Sequence, residues 1–413
     1  MKAVRKQSRR NALTLAALVV LMDSIGFGLL APVLPIFLAD IGQTEISGAA
    51  GIGLWLSVIY ALMQLMFGPF IGAVSDRFGR RPVLIVSSLV LFIDYCIMAL
   101  ASEIWVLFVG RAVAGFAAAT FVTAFAIVAD VSDDDDRTRN LGVVSAALGV
   151  GFVIGPALGG AVGEMFGVRM PIFCAAMFAL FNLAFAVCAF NETLAFERRS
   201  ALSWRKTNPL SSLLSMRQPG LIFPLLMAYA LLLFSVNVFP QVWSYFTVAK
   251  FYWTPGVIGL SLIAFGAVYG FSQVVLIRLL GRVLSTQWIA VVGTITAALA
   301  FIGLAMVQSD WYAVGFLCFG AMGAVSVPAL NGLIASMGQA ETQGEMQGLI
   351  ASGKALAYLA SPFAYLGTFG LLTEPTTRLY WPGGAFVIAA AAASFAAILI
   401  AVYGGEERAK GNF

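Results

Sequence analysis

Twelve long apolar runs, separated by short polar connections, constrain this chain more than any other feature. They fall at about 12–38, 50–74, 82–101, 104–128, 140–163, 170–190, 220–248, 256–280, 287–307, 310–334, 344–371 and 380–403. About 20 apolar residues cross the hydrocarbon core of a bilayer as a helix, which satisfies its own backbone polar groups. Hydrophobic residues make up 61% of the 413 and charged residues only 11%, against roughly 25% charged in soluble proteins. A soluble core of this length does not hide so much apolar surface, and the period-two alternation of a barrel strand is not visible. The sequence therefore predicts an all-α polytopic membrane protein with twelve transmembrane helices. The basic opening "MKAVRKQSRR" runs into a long apolar stretch, so it reads as the flank of a retained first span and not as a cleaved signal.

The longest polar connection, 191–219, follows the sixth run. It divides the chain into six-helix halves, 1–190 and 220–413, joined by a basic linker. Lysines and arginines gather at the N-terminus, in the turns around Arg80 and Arg139, in the linker (Arg198, Arg205, Lys206, Arg217), at Arg278 and Arg282, and at Arg408 and Lys410. The opposite side has only Arg169, Lys250 and Arg378. Positive charge marks the cytoplasmic side, so both termini and the linker are expected there.

Several function classes have little support. Histidine is absent, which removes the commonest neutral-pH proton carrier and metal ligand. Cys96, Cys174, Cys188 and Cys318 lie in apolar stretches without metal spacing, so they read as small packing residues, with no metal and no disulfide expected. The net charge of +4 comes without a basic groove, which argues against nucleic acid. No nucleotide loop and no nucleophile–base pair is visible, so neither an enzyme nor a cofactor is expected.

Four charges fall well inside the spans: Asp23, Asp94, Arg111 and Lys354. Charge in hydrocarbon is costly, and each such residue is a functional candidate. An apolar site disfavours the charged form of a carboxylate, so Asp23 and Asp94 are the candidate proton carriers; the alternative for each is a satisfied helix–helix hydrogen bond. Arg111 keeps its proton and reads as a counter-ion. Lys354 has three open readings: a partner for an acid, a contact for an anionic substrate, or a side chain that snorkels to the interface.

A cluster of charge lies in the short turn after the second run, "GAVSDRFGRRPVL". Its arginines alone would serve as a cytoplasmic anchor. Asp76 among Arg77, Arg80 and Arg81 suggests a salt-bridge latch or a cap on a neighbouring helix. Gly79 suits a tight turn and Gly72 a close helix approach. The stretch resembles the G-x-x-x-D-R-x-G-R-R signature of the major facilitator superfamily. The resemblance implies a gating role for these residues on the cytoplasmic side, with Asp130, at the end of span four, as a partner of Asp76 and Arg80. The acidic run Asp133 to Asp136 reads as a solvated loop.

Two further motifs resemble the drug/proton antiporter branch of that family. "FVGRAVAGFAAAT" places Arg111 and Gly115 one turn apart, like the R-x-x-x-G motif linked to proton transfer. "LGVGFVIGPALGG" puts Gly151, Gly155 and Gly159 on one face with Pro156 as a kink, like the span-five antiporter motif. Plain small-residue packing is the alternative. "LMDSIGFGLLAPVLP", "DYCIMALA", "VFPQVWSYF" and "PALNGLIAS" are similar to tetracycline efflux proteins. By that resemblance Asp23, Asp94 and Arg111 match membrane charges of the exporters, and Gln64 and Gln273 match polar residues lining their pocket.

The chain also departs from that group. The best-known classes have a histidine in span eight and an aspartate in span nine; here Tyr269 stands near the first position, and span nine offers only Thr294 and Thr296. Asn237 and Gln241, four apart, share one helix face, and with Trp243, Tyr269 and Gln273 they make an aromatic and polar pocket in the second half. The expected function is proton-coupled antiport of a drug-like amphipathic compound, tetracycline-like by the resemblance. The alternative is transport of an anionic metabolite through Lys354. The resemblance implies a monomer in a bacterial inner membrane, with protons, a small molecule and lipid as its partners.

Overall fold

A computed structural model describes residues 2–116, 120–194, 196, 199, 222–336 and 343–405. Most of the linker, with Arg198, Arg205, Lys206 and Arg217, lies outside the described residues, as do Arg408 and Lys410. Among the described residues, twelve helices are long and apolar enough to cross a membrane. Spans 1 to 6 are Asn11–Leu30, Ile46–Phe78, Arg80–Leu100, Ile104–Val131, Arg139–Phe166 and Met170–Cys188. Spans 7 to 12 are Phe223–Phe251, Pro255–Leu280, Thr286–Met306, Asp310–Ser336, Gly348–Thr373 and Gly384–Tyr403. Among the described residues there is no strand.

The helices start and break where local chemistry dictates. Span 1 stops at Leu30, short of the expected 38, and a separate helix, Leu34–Gly42, follows. Pro32 and Pro35 mark the break, because proline has no N–H to donate and best suits a helix's first turn, although Pro69 and Pro156 are carried inside continuous helices. Span 7 is interrupted at Asn237, between Ile222–Val236 and Val238–Phe251, with Pro240 in the first turn of the second segment. Pro362 is followed at once by a π-helical turn, Phe363–Gly367, and span 8 widens in the same way at Ser272–Leu276. Such turns recur at functional sites. Of the acidic run, Asp133 lies in the loop as expected, while 134–136 are helical. The helix Asp134–Phe166 becomes span 5.

The chain forms two compact units. The first comprises Met1–Gln43, Trp55–Pro209 and Trp253–Ile263; the second comprises Thr44–Leu54, Leu210–Tyr252 and Ala264–Phe413. In the first, Val19 and Val20 of span 1 pack with Leu84 of span 3, Ile127 of span 4, Val144 of span 5 and Ala186 of span 6. In the second, Leu225 and Leu232 pack with Ile289, Leu330, Ile350 and Ile400. Lipid is as apolar as these side chains, so close van der Waals packing rather than water exclusion holds the helices together. Outside, Trp105, Trp288 and Trp311 stand exposed in the first turns of spans 4, 9 and 10, where amphipathic rings suit a membrane–water boundary.

Candidate proton and substrate site

Glycines set how closely the helices of the first unit approach. On span 5, a Cβ at Gly151 would lie 1.9 Å from Ser24 Oγ, one at Gly155 2.7 Å from Gly28 Cα, and one at Gly159 2.2 Å from the Leu29 carbonyl oxygen. The face formed by Gly151, Gly155 and Gly159 is thus filled by span 1, as a small-residue interface requires. Pro156 packs on the same contact, against Gly28. The next face of span 5 meets the start of span 8: a Cβ at Gly160 would lie 2.5 Å from the Pro255 carbonyl oxygen.

This tight frame brings the membrane charges of the first half together. Arg111 on span 4 donates from Nη2 to Asp94 Oδ2 on span 3. The Asp94 side chain is 1% exposed and that of Arg111 16%, so the pair is closed to bulk water. Met98 Sδ lies 2.7 Å from the same guanidinium nitrogen, and the guanidinium carbon stands 5.9 Å from the Tyr60 ring centroid. Gly110 makes room for the carboxylate, since a Cβ there would lie 2.8 Å from Asp94 Oδ1. Arg111 Nε and Asp94 Oδ1 are buried without a hydrogen-bond partner among the described residues.

Asp23, also buried, has a different environment. Its Oδ1 accepts from Nδ2 of Asn182 on span 6, and no arginine or lysine forms an ion pair with it among the described residues. The sequence does not single out Asn182, because an uncharged amide in the apolar run "FALFNLAFAV" barely lowers hydropathy. Tyr60 and Tyr95 both lie within electrostatic reach of Asp23, Asp94 and Arg111. The three charges and two phenols therefore make one cluster, with the Tyr95 ring packed on Gly26.

At the end of this unit the turn charges form a second network. Arg80 donates from Nη1 to Asp76 Oδ1 at 2.6 Å and to Ser75 Oγ at 3.1 Å, and from Nε to Asp130 Oδ2 at 2.9 Å. Asp76 pairs with Arg80 one turn on and caps no neighbouring helix in the described part. That capping is done by Glu192, just beyond span 6, which accepts from the backbone amides of Arg80 at 2.9 Å and Arg81 at 3.1 Å. Arg81 returns the arrangement, donating from Nη2 to the Val187 carbonyl at 2.6 Å at the end of span 6. Each side chain thus complements the partial charge of the other helix's end. By sequence Glu192 belongs to the linker; the one sign of its role is an acid directly after an apolar run. Gly79 is required here, with φ of 110° and a Cβ position only 2.1 Å from Glu192 Oε2. Gly72, expected at a close helix approach, faces open space instead, with nothing within 4 Å of its Cβ position. Arg77 is exposed, its guanidinium carbon 5.3 Å from the Phe78 ring centroid.

The second unit holds the other expected residues. Asn237, at the break in span 7, donates to Ser361 Oγ on span 11, and Tyr365 donates to the Phe234 carbonyl at 2.8 Å. Gln273, in the π-turn of span 8, donates to the Ala324 carbonyl at 3.2 Å, where span 10 tightens into a 3-10 turn. Freed backbone groups in a membrane need such partners. Gln241 is half-buried, while Tyr269 and Gln64 lie on exposed faces of their helices. Trp243 is fully buried against Phe246, with ring centroids 6.1 Å apart, and so lines no open surface. Lys354 stands on an exposed helix face with Nζ 5.4 Å from the Tyr358 ring centroid.

The Major Facilitator Superfamily model matches residues 16–362. The chain belongs to this superfamily. Among curated relatives, the class C tetracycline resistance protein of Escherichia coli is 34% identical over 91% of this chain and 94% of its own length. The class D protein of Salmonella ordonez is 30% identical over 89% and 92%. Among solved structures, the human organic anion transporter MFSD10 superposes with a TM-score of 0.71 at 22% identity, covering 95% of this chain and 99% of its own, which speaks for the fold alone. The protein is a twelve-span membrane transporter of the superfamily, with tetracycline-efflux homologues.

Proposed function

We propose that this transporter is a proton-coupled antiporter that exports a drug-like amphipathic compound by alternating access, driven by the proton gradient without a cofactor. One observation carries the reading: two buried carboxylates in one helical unit, Asp94 held by Arg111 and Asp23 by an amide alone. Buried acids in unlike environments take unlike roles. In this reading Asp94 and Arg111 form the ion pair that substrate binding perturbs, and Asp23 loads and unloads the proton. The network of Asp76, Arg80 and Asp130, with Arg77, Gly79 and Arg81 around it, latches the cytoplasmic ends of the helices. The charge asymmetry supports cytoplasmic termini. The named activity of the tetracycline resistance relatives supports a tetracycline-like substrate.

The test is proton release from purified protein in weakly buffered detergent, titrated with Mg-tetracycline and a small panel of cationic dyes. Wild type is expected to release protons on binding. Asp94→Asn and Asp23→Asn are expected to lose at least about nine-tenths of that release, because a group contributing about 1.4 kcal/mol already changes an equilibrium tenfold. No release by folded wild type with any compound would sink the exporter reading.

A second reading rests on Lys354, which has no carboxylate or hydrogen-bond partner among the described residues and stands over Tyr358. A free cation beside an aromatic face suits an anionic substrate. Lys354→Met is expected to weaken binding of aromatic acids about tenfold and to leave cationic dyes unaffected; equal affinities for both would remove Lys354 from the site. Charge-assisted contacts of this kind are worth about 1.5–3 kcal/mol.

A further inference from the structure

Asn182 is completely buried, and its amide nitrogen has two acceptors. Nδ2 donates to the Val19 carbonyl at 3.0 Å and to Asp23 Oδ1, both on span 1. Those two acceptors fix which way the amide faces. Turned over, its oxygen would meet two oxygens and no donor. The arrangement leaves Asp23 Oδ2 buried with no hydrogen-bond partner among the described residues, and Asn182 Oδ1 likewise. The other groups near Asp23 are Thr120 of span 4, Tyr60 of span 2 and Tyr95 of span 3; Arg111 and Asp94 lie near the same two phenols. The Thr120 hydroxyl stands beside the carboxylate, and the guanidinium of Arg111 is committed to Asp94.

The two oxygens of Asp23 are thus unlike. Oδ1 has a fixed donor, which serves a carboxylate and also the C=O of a protonated carboxyl. Oδ2 has none, and a bare buried anion is costly. We propose that Asn182 is the positioning residue of the proton carrier, holding Oδ1 in both protonation states so that the proton is taken up and released at Oδ2. In the release step the Oδ2–H bond breaks, the proton passes to water, and the electron pair stays on the carboxylate; no other bond changes. Asn182 matters for release because its N–H stays fixed on Oδ1 when the anion forms, with the Thr120 hydroxyl beside the carboxylate. The assignment rests on the proton-coupled reading above.

The first experiment is infrared difference spectroscopy on folded, substrate-free protein, following the C=O stretch of a protonated carboxyl as pH is varied. The band is expected in wild type and in Asp94→Asn, and absent in Asp23→Asn. In Asn182→Leu it should persist at higher frequency, because its C=O, Oδ1, has lost a hydrogen bond. The second experiment is proton release with Mg-tetracycline: at the same pH Asn182→Leu should release about tenfold fewer protons and bind correspondingly more weakly, because proton release and affinity are linked. Asn182→Gln, which keeps a donor, should restore part of that release. A band unmoved by Asn182→Leu, or one lost in Asp94→Asn and kept in Asp23→Asn, overturns the inference while leaving coupling intact. Wild type that releases no proton overturns the coupling reading instead, and the infrared result still decides the role of Asn182.

Discussion

Replacing Arg111 with glutamine is expected to destabilise the folded protein by about 3–5 kcal/mol, because it leaves a buried carboxylate without its cation. Asp94 is 1% exposed, and the described structure offers no second lysine or arginine to take Arg111's place. One Asp94 oxygen already lacks a partner, so the site has no spare donors to absorb the loss. Asp94→Asn in the same background removes the charge, and the double variant should recover most of the lost stability while remaining unable to couple. Thermal melting of detergent-solubilised single and double variants, as a double-mutant cycle, reads this directly. Additive losses in the double variant would show that the two side chains do not depend on each other, and would remove the ion pair from the mechanism.

Gly159→Ala is the other change with a large expected effect. The added carbon would fall 2.2 Å from the Leu29 carbonyl oxygen and 2.8 Å from Leu29 Cα. Both are backbone atoms, so no rotamer change relieves the contact and span 5 must move away from span 1. Overpacking a close interface costs typically 1–3 kcal/mol, and this contact belongs at the upper end. A matched control lies on the same helix. A Cβ at Gly149 meets nothing within 4 Å, so Gly149→Ala should be neutral or slightly stabilising through helix propensity. Melting temperatures and folded yield separate the two. If Gly159→Ala and Gly149→Ala behave alike, the glycine face is not what holds spans 1 and 5 together. Because Asp23 lies on span 1, loosening this interface should also impair proton release in whatever protein survives.

The fold was legible because its determinants are local. A run of apolar residues either is or is not long enough to cross a bilayer, and within hydrocarbon the helix is the one structure such a run adopts by itself. Prolines at 32, 35, 240 and 362 then mark or border breaks in the helices. The turn signature and the rarity of charge in the spans singled out Asp76, Asp94 and Arg111 for the same reason: they stand out against an apolar background. Residues that do not stand out were missed. Asn182 costs little in hydropathy, and Glu192 looked like part of a polar linker. Gly72 misled in the opposite direction, since small size permits a contact without creating one.

What the sequence determined by itself is a twelve-helix membrane protein with a short set of costly intramembrane charges, because hydrophobicity and backbone hydrogen bonding act residue by residue. What only the tertiary structure decided is which polar groups meet. Arg111 reaches Asp94 across 17 residues, and Asn182 reaches Asp23 across 159. Those pairings depend on the rotation and depth of packed helices, which the glycine face of span 5 fixes against span 1. That placement gives one acid a cation and the other an amide, and no local property of either aspartate distinguishes them.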